Sequence, residues 1–324
     1  MLVAASLLGG AIGAGAALVF DGGKVGPRGV KGPEGPPGPP GIYADVGVLE
    51  TRIAGLERRL SRLERRLRAA SSRPAQDRAV VWAVGDGADG GAAAKVLPAR
   101  IASERPDHFL YLGDVYDHGT AEEFERNYRS VYGRLDGITA PTPGNHDWPN
   151  AAEGYKPYWR RVKGRPVPSY YSFRAGGWEL LSLNSEAAHD EDSPQLRWLR
   201  RAVAAPGTCR IAFWHRARFS AGEHGDQDDV EPLWDALRGK ATIVVAGHDH
   251  DMQRLRPIDG ITQFVSGAGG RSHYELDRGD PRLAFGNDRD YGALRLELRP
   301  GNADYAFFSS SGKRLDSGAI RCPR

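Results

Sequence analysis

From residue 74 to its end, the chain predicts an α/β domain of two packed sheets with helices outside. Two observations carry that expectation. Apolar strand runs alternate with helical stretches, and five of those runs deliver an Asp, Asn or His at the strand end. A third observation concerns residues 1–73, where a triplet repeat and a heptad seam predict a stalk ahead of the domain.

Taken in order, residues 1–20 open with the uncharged apolar run Leu2–Phe20. As a helix it would extend roughly 28 Å, about the hydrocarbon thickness of a bilayer. It is expected to be a signal peptide or a membrane anchor; Ala14-Gly15-Ala16 fits a small-x-small cleavage site. The first cations, Lys24, Arg28 and Lys31, follow the run, so charge does not set its orientation. Residues 21–41 carry glycine at every third position from Gly23, with proline between. That is collagen-like, because only glycine fits at a triple-helix axis. In residues 42–73, Ile42, Val46, Leu49, Ile53, Leu56, Leu60, Leu63 and Leu67 recur at alternating steps of 4 and 3. Such a seam predicts a coiled coil, with Arg52 and Arg59 at g and Glu57 and Glu64 at e. The collagen-like segment calls for three chains, and Arg52–Glu57 and Arg59–Glu64 resemble a trimer-favouring pattern of Arg, apolar, two variable residues, apolar, Glu, which implies the same. A single amphipathic helix packed on its own domain is the competing reading. The arginines of this segment are read as a solvated exterior.

Within residues 74–324, strands are expected at 79–84, 109–112, 141–143, 170–173, 178–183, 209–214, 241–245, 261–265, 293–298 and 304–308. Helices are expected at 92–103, 121–132, 194–204 and 230–237. A net charge of only +3 over 324 residues gives no support to a specific nucleic-acid partner. Cys209 and Cys322 form neither a framework nor a metal motif. In an exported protein they are expected to bridge, tying the tail to the strand that carries His215; separate thiols are the alternative.

Five strand ends supply the chemistry. They read Gly85-Asp86-Gly87, Gly113-Asp114-Val115-Tyr116, Gly144-Asn145-His146-Asp147, His215, and Gly247-His248-Asp249-His250. In open α/β sheets the C-terminal strand ends are where ligands bind. Gly247 lets the chain turn without a Cβ penalty. Asp86, Asp114, Asn145, His215, His248 and His250 offer only oxygen and nitrogen donors, which suits Fe, Zn or Mn.

This ordered series, spanning about residues 79–320, resembles the calcineurin-like metallophosphoesterases, and more closely their purple acid phosphatase branch. The resemblance implies an αββα two-sheet sandwich that hydrolyses phosphate esters with two metal ions. It implies Asp86, Asp114 and His250 on one ion, Asp114, Asn145, His215 and His248 on the other, and Asp114 as the bridge. Two cations can neutralise the ester, orient it and activate water. His146 looks like the family histidine that contacts phosphate and protonates the leaving oxygen, with Asp147 orienting it. Glu223-His224-Gly225 is similar to a shorter substrate-contacting segment, which makes His224 a third candidate.

Three departures stand against the family pattern. A metal-bound tyrosine is usual three residues after the bridging aspartate; here Asp117 is third and Tyr116 second, so either is a candidate ligand. Ala88 replaces a frequent histidine, and Ala217 replaces a proline after His215, with Arg216 between as a candidate phosphate contact. Arg254, Arg271 and His273 are further candidates for substrate, while His108, His118 and His189 are read as structural or surface residues. The expected whole is a secreted or surface-held homotrimeric phosphatase, attached to membrane or cell wall. The alternatives are a non-catalytic display or adhesion protein and a phosphodiesterase.

Overall fold

The computed structural model describes residue 32 and residues 51–61, 77–91 and 95–322. The chain divides into two compact units, Met1–Glu64 and Arg65–Arg324. The expected signal or anchor and nearly all of the collagen-like repeat lie outside the described residues. Residues 51–61 are helical, and this stretch carries part of the heptad seam. Its seam residues Ile53, Leu56 and Leu60 are 54, 63 and 58% exposed, so within the described residues nothing covers them. Among the described residues no helix is long and apolar enough to cross a membrane.

Among its described residues the second unit holds thirteen strands in two sheets. They are β1 (Ala79–Val84), β2 (His108–Tyr111), β3 (Thr139–Pro141), β4 (Tyr171–Ala175), β5 (Trp178–Ser182), β6 (Arg210–Arg216), β7 (Ile243–Gly247), β8 (Met252–Leu255), β9 (Thr262–Ser266), β10 (Leu283–Asn287), β11 (Gly292–Arg299), β12 (Asn302–Ser309) and β13 (Arg314–Arg321). One sheet runs β13-β12-β11-β1-β2-β3 and the other β10-β8-β9-β7-β6-β5-β4. β1, β2 and β3 are parallel, as are β5, β6, β7 and β9. Parallel strands are covered on both faces, which is why they read as continuous apolar runs.

Side-chain alternation divides each central strand between two cores. Val81 and Ala83 of β1, Ile211 and Phe213 of β6, and Ile243 and Val245 of β7 fill the space between the sheets. Val80, Trp82 and Val84 face the other way, onto Leu97, Tyr128, Tyr132, Tyr158 and Trp159. Ala212, Trp214 and Val244 face Leu196, Leu199, Leu233 and Trp234. Helices therefore cover both outer faces: Val96–Ser103, the run from Ala121 to Tyr132 and Tyr155–Lys163 on one, Pro194–Ala202 and Glu231–Leu237 on the other. Each fully buried large apolar side chain contributes about 1.5–3 kcal/mol. The layers are the expected αββα sandwich.

Some boundaries differ from expectation. The first helix begins at Val96, and the middle of the next is a π-helix, Phe124–Arg129. The strand before Asn145 is β3, two residues earlier than expected. The helix Tyr155–Lys163 is unexpected, although Tyr155, Tyr158 and Trp159 fall at i, i+3 and i+4 and all are buried. β8, β10 and β13 are also unexpected. β13 alternates poorly and is largely exposed; pairing with β12, not periodicity, makes it a strand. Cys209 and Cys322 are bridged, with Cα atoms 5.6 Å apart across 113 residues of chain.

Candidate metal centre

The six expected donors meet at the C-terminal ends of β1, β2, β3, β6 and β7. Three of the residues that turn the chain into the site hold left-handed backbone: Asp86 (φ 59°), Asp114 (φ 65°) and His248 (φ 74°). Non-glycine residues rarely adopt it, and such outliers concentrate where function over-determines the backbone. Gly247 itself has no positive φ. It is needed for close approach: a Cβ there would lie 2.7 Å from Asp86 Oδ2. At Gly144 a Cβ would lie 2.0 Å from Asp114 Oδ1.

The first group of donors surrounds His215. Its Nδ1 is 2.8 Å from the Leu112 carbonyl, so Nδ1–H donates there and Nε2 presents a lone pair to the site. That Nε2 stands 3.0 Å from Asn145 Oδ1, 3.2 Å from His248 Nδ1 and 3.3 Å from Asp114 Oδ2. Asp114, His215 and His248 offer ligand atoms all within 4.8 Å of one another. The second group surrounds the Tyr116 hydroxyl, which donates to Asp86 Oδ1 at 2.9 Å and lies 2.9 Å from His250 Nε2. His250 Nδ1 is 2.8 Å from the Ser272 carbonyl, which again leaves Nε2 as the inward lone pair. Acceptors facing acceptors in a buried place repel one another unless positive charge lies between them. The donor set therefore fits cations in the two places.

Electrostatics show the same demand for positive charge, which a proton on His215 Nε2 meets where a cation would otherwise displace it. Burial alone lowers an imidazole pKa, yet the Asp114 and Asp86 charges push His215 up to about 10. Burial would raise Asp114, but the neighbouring His215 and His146 outweigh it and hold that carboxyl below the usual range. Asp86 lacks such a surplus, and burial drives it well above the ordinary value. His250, desolvated by burial, is lowered to about 4, and so stays neutral at physiological pH.

His146 leans over this centre. Its backbone N–H donates to Asp114 Oδ1 at 3.0 Å, its ring lies on Tyr116 with centroids 4.6 Å apart, and Nε2 is 3.9 Å from Asp114 Oδ2. Asp147 does not orient it, contrary to expectation. The Asp147 carboxylate is buried and accepts N–H bonds of 2.9 Å from Asp114, Val115 and Gly144, so both oxygens are taken up by backbone. His146 Nδ1 instead meets the Asp117 carbonyl at 2.5 Å. Glu123, which sequence reasoning missed, does similar work on the next loop by accepting from the N–H groups of Asp117, His118 and Thr120. Its position three residues after Thr120 is a capping-box signature that was there to read.

The remaining candidates divide. Tyr116 reaches the centre and Asp117 does not: its carboxylate turns outward to Arg271, 3.0 Å away. Arg271 also lies over the Tyr116 ring at 4.6 Å. Arg216 is engaged by Glu186 and Asp229, and Arg254 by Asp316, so neither guanidinium is held out for phosphate. His273 donates towards the His250 carbonyl rather than into the centre. His224 does reach it, its ring stacked on His248 with centroids 4.0 Å apart. Tyr274, missed by sequence reasoning, stacks on His250 at 4.1 Å and meets His224 edge-on at 5.1 Å.

Two cavities flank the centre. One of about 250 Å³ is lined by Asp117, His118, Asn145, His146, Pro149 and Asn150. Another of about 390 Å³ includes Tyr116, Asp117, Lys95 and Arg126. A roomier cavity of about 540 Å³ lies at the β3 and β4 edges but carries none of the converging donors, so chemistry rather than volume picks the site.

This strand-end arrangement of carboxylates, an amide and imidazoles in an αββα sandwich defines a class, and the chain belongs to the calcineurin-like phosphoesterase family, whose profile matches residues 43–252. Among curated relatives, tartrate-resistant acid phosphatase type 5 of Mus musculus is 29% identical over 143 residues, 40% of this chain and 43% of the relative. That of Oryctolagus cuniculus is 28% identical over 133 residues, 37% of this chain and 40% of the relative. The match thus spans about two fifths of these relatives' length. Among the solved structures that share the fold are two that illustrate it. GAP50, the anchor in the inner membrane complex of Plasmodium, has a TM-score of 0.63 at 15% identity, covering 76% of this chain and 90% of that one. Purple acid phosphatase PPD1 from yellow lupin (Lupinus luteus) seeds has a TM-score of 0.59 at 17% identity, covering 75% and 54%.

Proposed function

We propose that the chain is a phosphatase that hydrolyses phosphate monoesters with two bound metal ions, Fe, Zn or Mn. The observation that carries this reading is the convergence of inward lone pairs from Asp86, Asp114, Asn145, His215, His248 and His250 at two adjoining places. The ions, when bound, supply Lewis-acid polarisation of the phosphoryl group and of water. The chain does the rest. Asp114 would be the carboxylate that both ions share. Asn145 gives a neutral oxygen, which limits repulsion of an anionic substrate. The Leu112 and Ser272 carbonyls fix the tautomers of His215 and His250. Tyr116 is a ligand candidate in the place of the family tyrosine, despite its displaced position. His146, its Nδ1 held by the Asp117 carbonyl and its Nε2 3.9 Å from Asp114 Oδ2, would protonate the leaving oxygen, with the cavity beside it as room for the leaving group.

Purified protein assayed on an aryl phosphate with each metal tests this reading. Several kcal/mol of Lewis-acid stabilisation corresponds to about 10³-fold in rate. The paired change Asp114→Asn with His248→Ala is therefore expected to abolish measurable turnover; activity that survives it rejects the proposal. A diester beside the monoester separates phosphodiesterase from phosphatase action. Under one metal per chain in the native protein would favour a non-catalytic display role.

We also propose that the stalk is trimeric and that the protein is secreted or held at the cell surface, by membrane or wall. The exposed seam of Ile53, Leu56 and Leu60 supports the first, and the Cys209–Cys322 bridge, which needs an oxidising compartment, supports the second.

A further inference from the structure

We propose that Tyr274 is a positioning residue: its ring fixes the His224 imidazole over the metal centre, where His224 contacts the phosphoryl group. The inference rests on the phosphatase reading above. His224 sits on the exposed loop between β6 and the helix Glu231–Leu237, next to Gly225 at φ +63°. Its backbone N–H donates to Asp249 Oδ1 at 2.8 Å, but its ring nitrogens meet no hydrogen-bond partner among the described residues. An imidazole on such a loop would otherwise sample several rotamers. Here rings hold it from two sides. His248 stacks on its face, with centroids 4.0 Å apart and planes 20° apart. Tyr274 meets its edge at 5.1 Å and 88°.

Tyr274 is itself well placed to act as a fixed wall. Its face lies on His250 at 4.1 Å and 16°. The segment that carries it is tied down along its length: Arg271 N–H donates to the Asp86 carbonyl, His273 Nδ1 meets the His250 carbonyl, and Asp277 N–H donates to the Ala221 carbonyl. The rings of His250, Tyr274, His224 and His248 thus form one continuous series linking the two donor groups. The Tyr274 hydroxyl has no hydrogen-bond partner among the described residues, so the ring and not the hydroxyl carries the effect. That points to rescue by phenylalanine.

The test compares Tyr274→Phe, Tyr274→Ala, Tyr274→Leu, His224→Ala and the Tyr274→Ala/His224→Ala pair in the full chain. NMR of histidine-labelled protein reads the position of His224 without turnover. Its ring signal, identified by its loss in His224→Ala, is expected to stay in place in Tyr274→Phe and to move towards a solvated histidine in Tyr274→Ala and Tyr274→Leu. On an aryl phosphate, Tyr274→Ala is expected to lower kcat/KM about 10- to 100-fold. Tyr274→Phe should stay within about twofold of the parent. The pair should be no slower than His224→Ala alone, and metal per chain should match the parent throughout. An unmoved His224 signal in Tyr274→Ala, independent losses that multiply in the pair, or a phenylalanine variant as slow as alanine would each overturn the assignment. So would metal loss in Tyr274→Ala, which would place the effect at His250. Inactivity of the parent on every phosphoester would end the phosphatase reading, while the NMR comparison would still decide whether Tyr274 positions His224.

Discussion

His146 and Asp147 are neighbours in the chain with opposite work. Asp147 faces inward and satisfies three backbone N–H groups; His146 is half-buried at the opening, its Nε2 3.9 Å from Asp114 Oδ2. Their substitution should separate stability from chemistry. Asp147→Ala leaves buried N–H groups without acceptors, at about 1–3 kcal/mol for each group that water cannot reach. A lower melting temperature and weaker metal retention are expected, and an unchanged melting curve would refute the bracing role. His146→Ala should melt like the parent and lower kcat about 10²- to 10⁴-fold, as loss of a general acid does. The loss should be larger for an alkyl than for an aryl phosphate, because the poorer leaving group needs the proton more. Equal losses on both would remove His146 from the acid role.

At the scale of elements, the strands fix where the donors emerge, and two features guard the strands. The Cys209–Cys322 bridge ties the chain beyond β13 to the residue preceding β6, the strand that carries His215. Closing a loop of 113 residues in the unfolded chain stabilises the fold by typically 2–4 kcal/mol. Calorimetry of the Cys209→Ser/Cys322→Ser variant should show that loss. On β11, Glu297 accepts from Arg78 at 2.8 Å and Arg295 at 3.2 Å and also pairs with Arg299. The Arg78 hydrogen bond, with help from Arg295, holds this carboxyl down at about 2 against a modest opposing effect of burial. A carboxyl lowered in the folded state stabilises it above the unfolded pKa. That contribution fades as pH falls from about 4.3 towards 2. Glu297→Gln should therefore cost roughly 1 kcal/mol at neutral pH and progressively less through pH 2, vanishing below it. A difference in stability that persists in acid would count against this network.

For the whole molecule, valency and metal stoichiometry are the quantities to measure. Sedimentation of residues 21–324 at micromolar concentration is expected to give a trimer; a monomer would leave the Ile53–Leu56–Leu60 seam without its partners. Much of the molecule was legible beforehand. The parallel strands could be read because burial on both faces writes apolar runs into the sequence. The six donors could be read because each lies at the end of a strand or within four residues of it. The helix Tyr155–Lys163 carries the right spacing but is crowded with Arg and Lys, which masks its buried aromatic stripe. β13 has almost no pattern, because an edge strand with exposed residues is specified by its neighbour.

The sequence by itself determined the kinds and order of the donor residues, the strand ends that bear them and the heptad seam, since these depend on local periodicity and chemical type. Tertiary structure alone decided which side chains serve which purpose. It turned Asp147 to the backbone, Asp117 to Arg271 and Arg254 to Asp316, and brought Tyr116 to the centre. It also set the rings of residues 224, 248, 250 and 274 against one another. Those choices depend on contacts between loops from different strands, and no spacing along the chain encodes the direction in which a loop side chain will point.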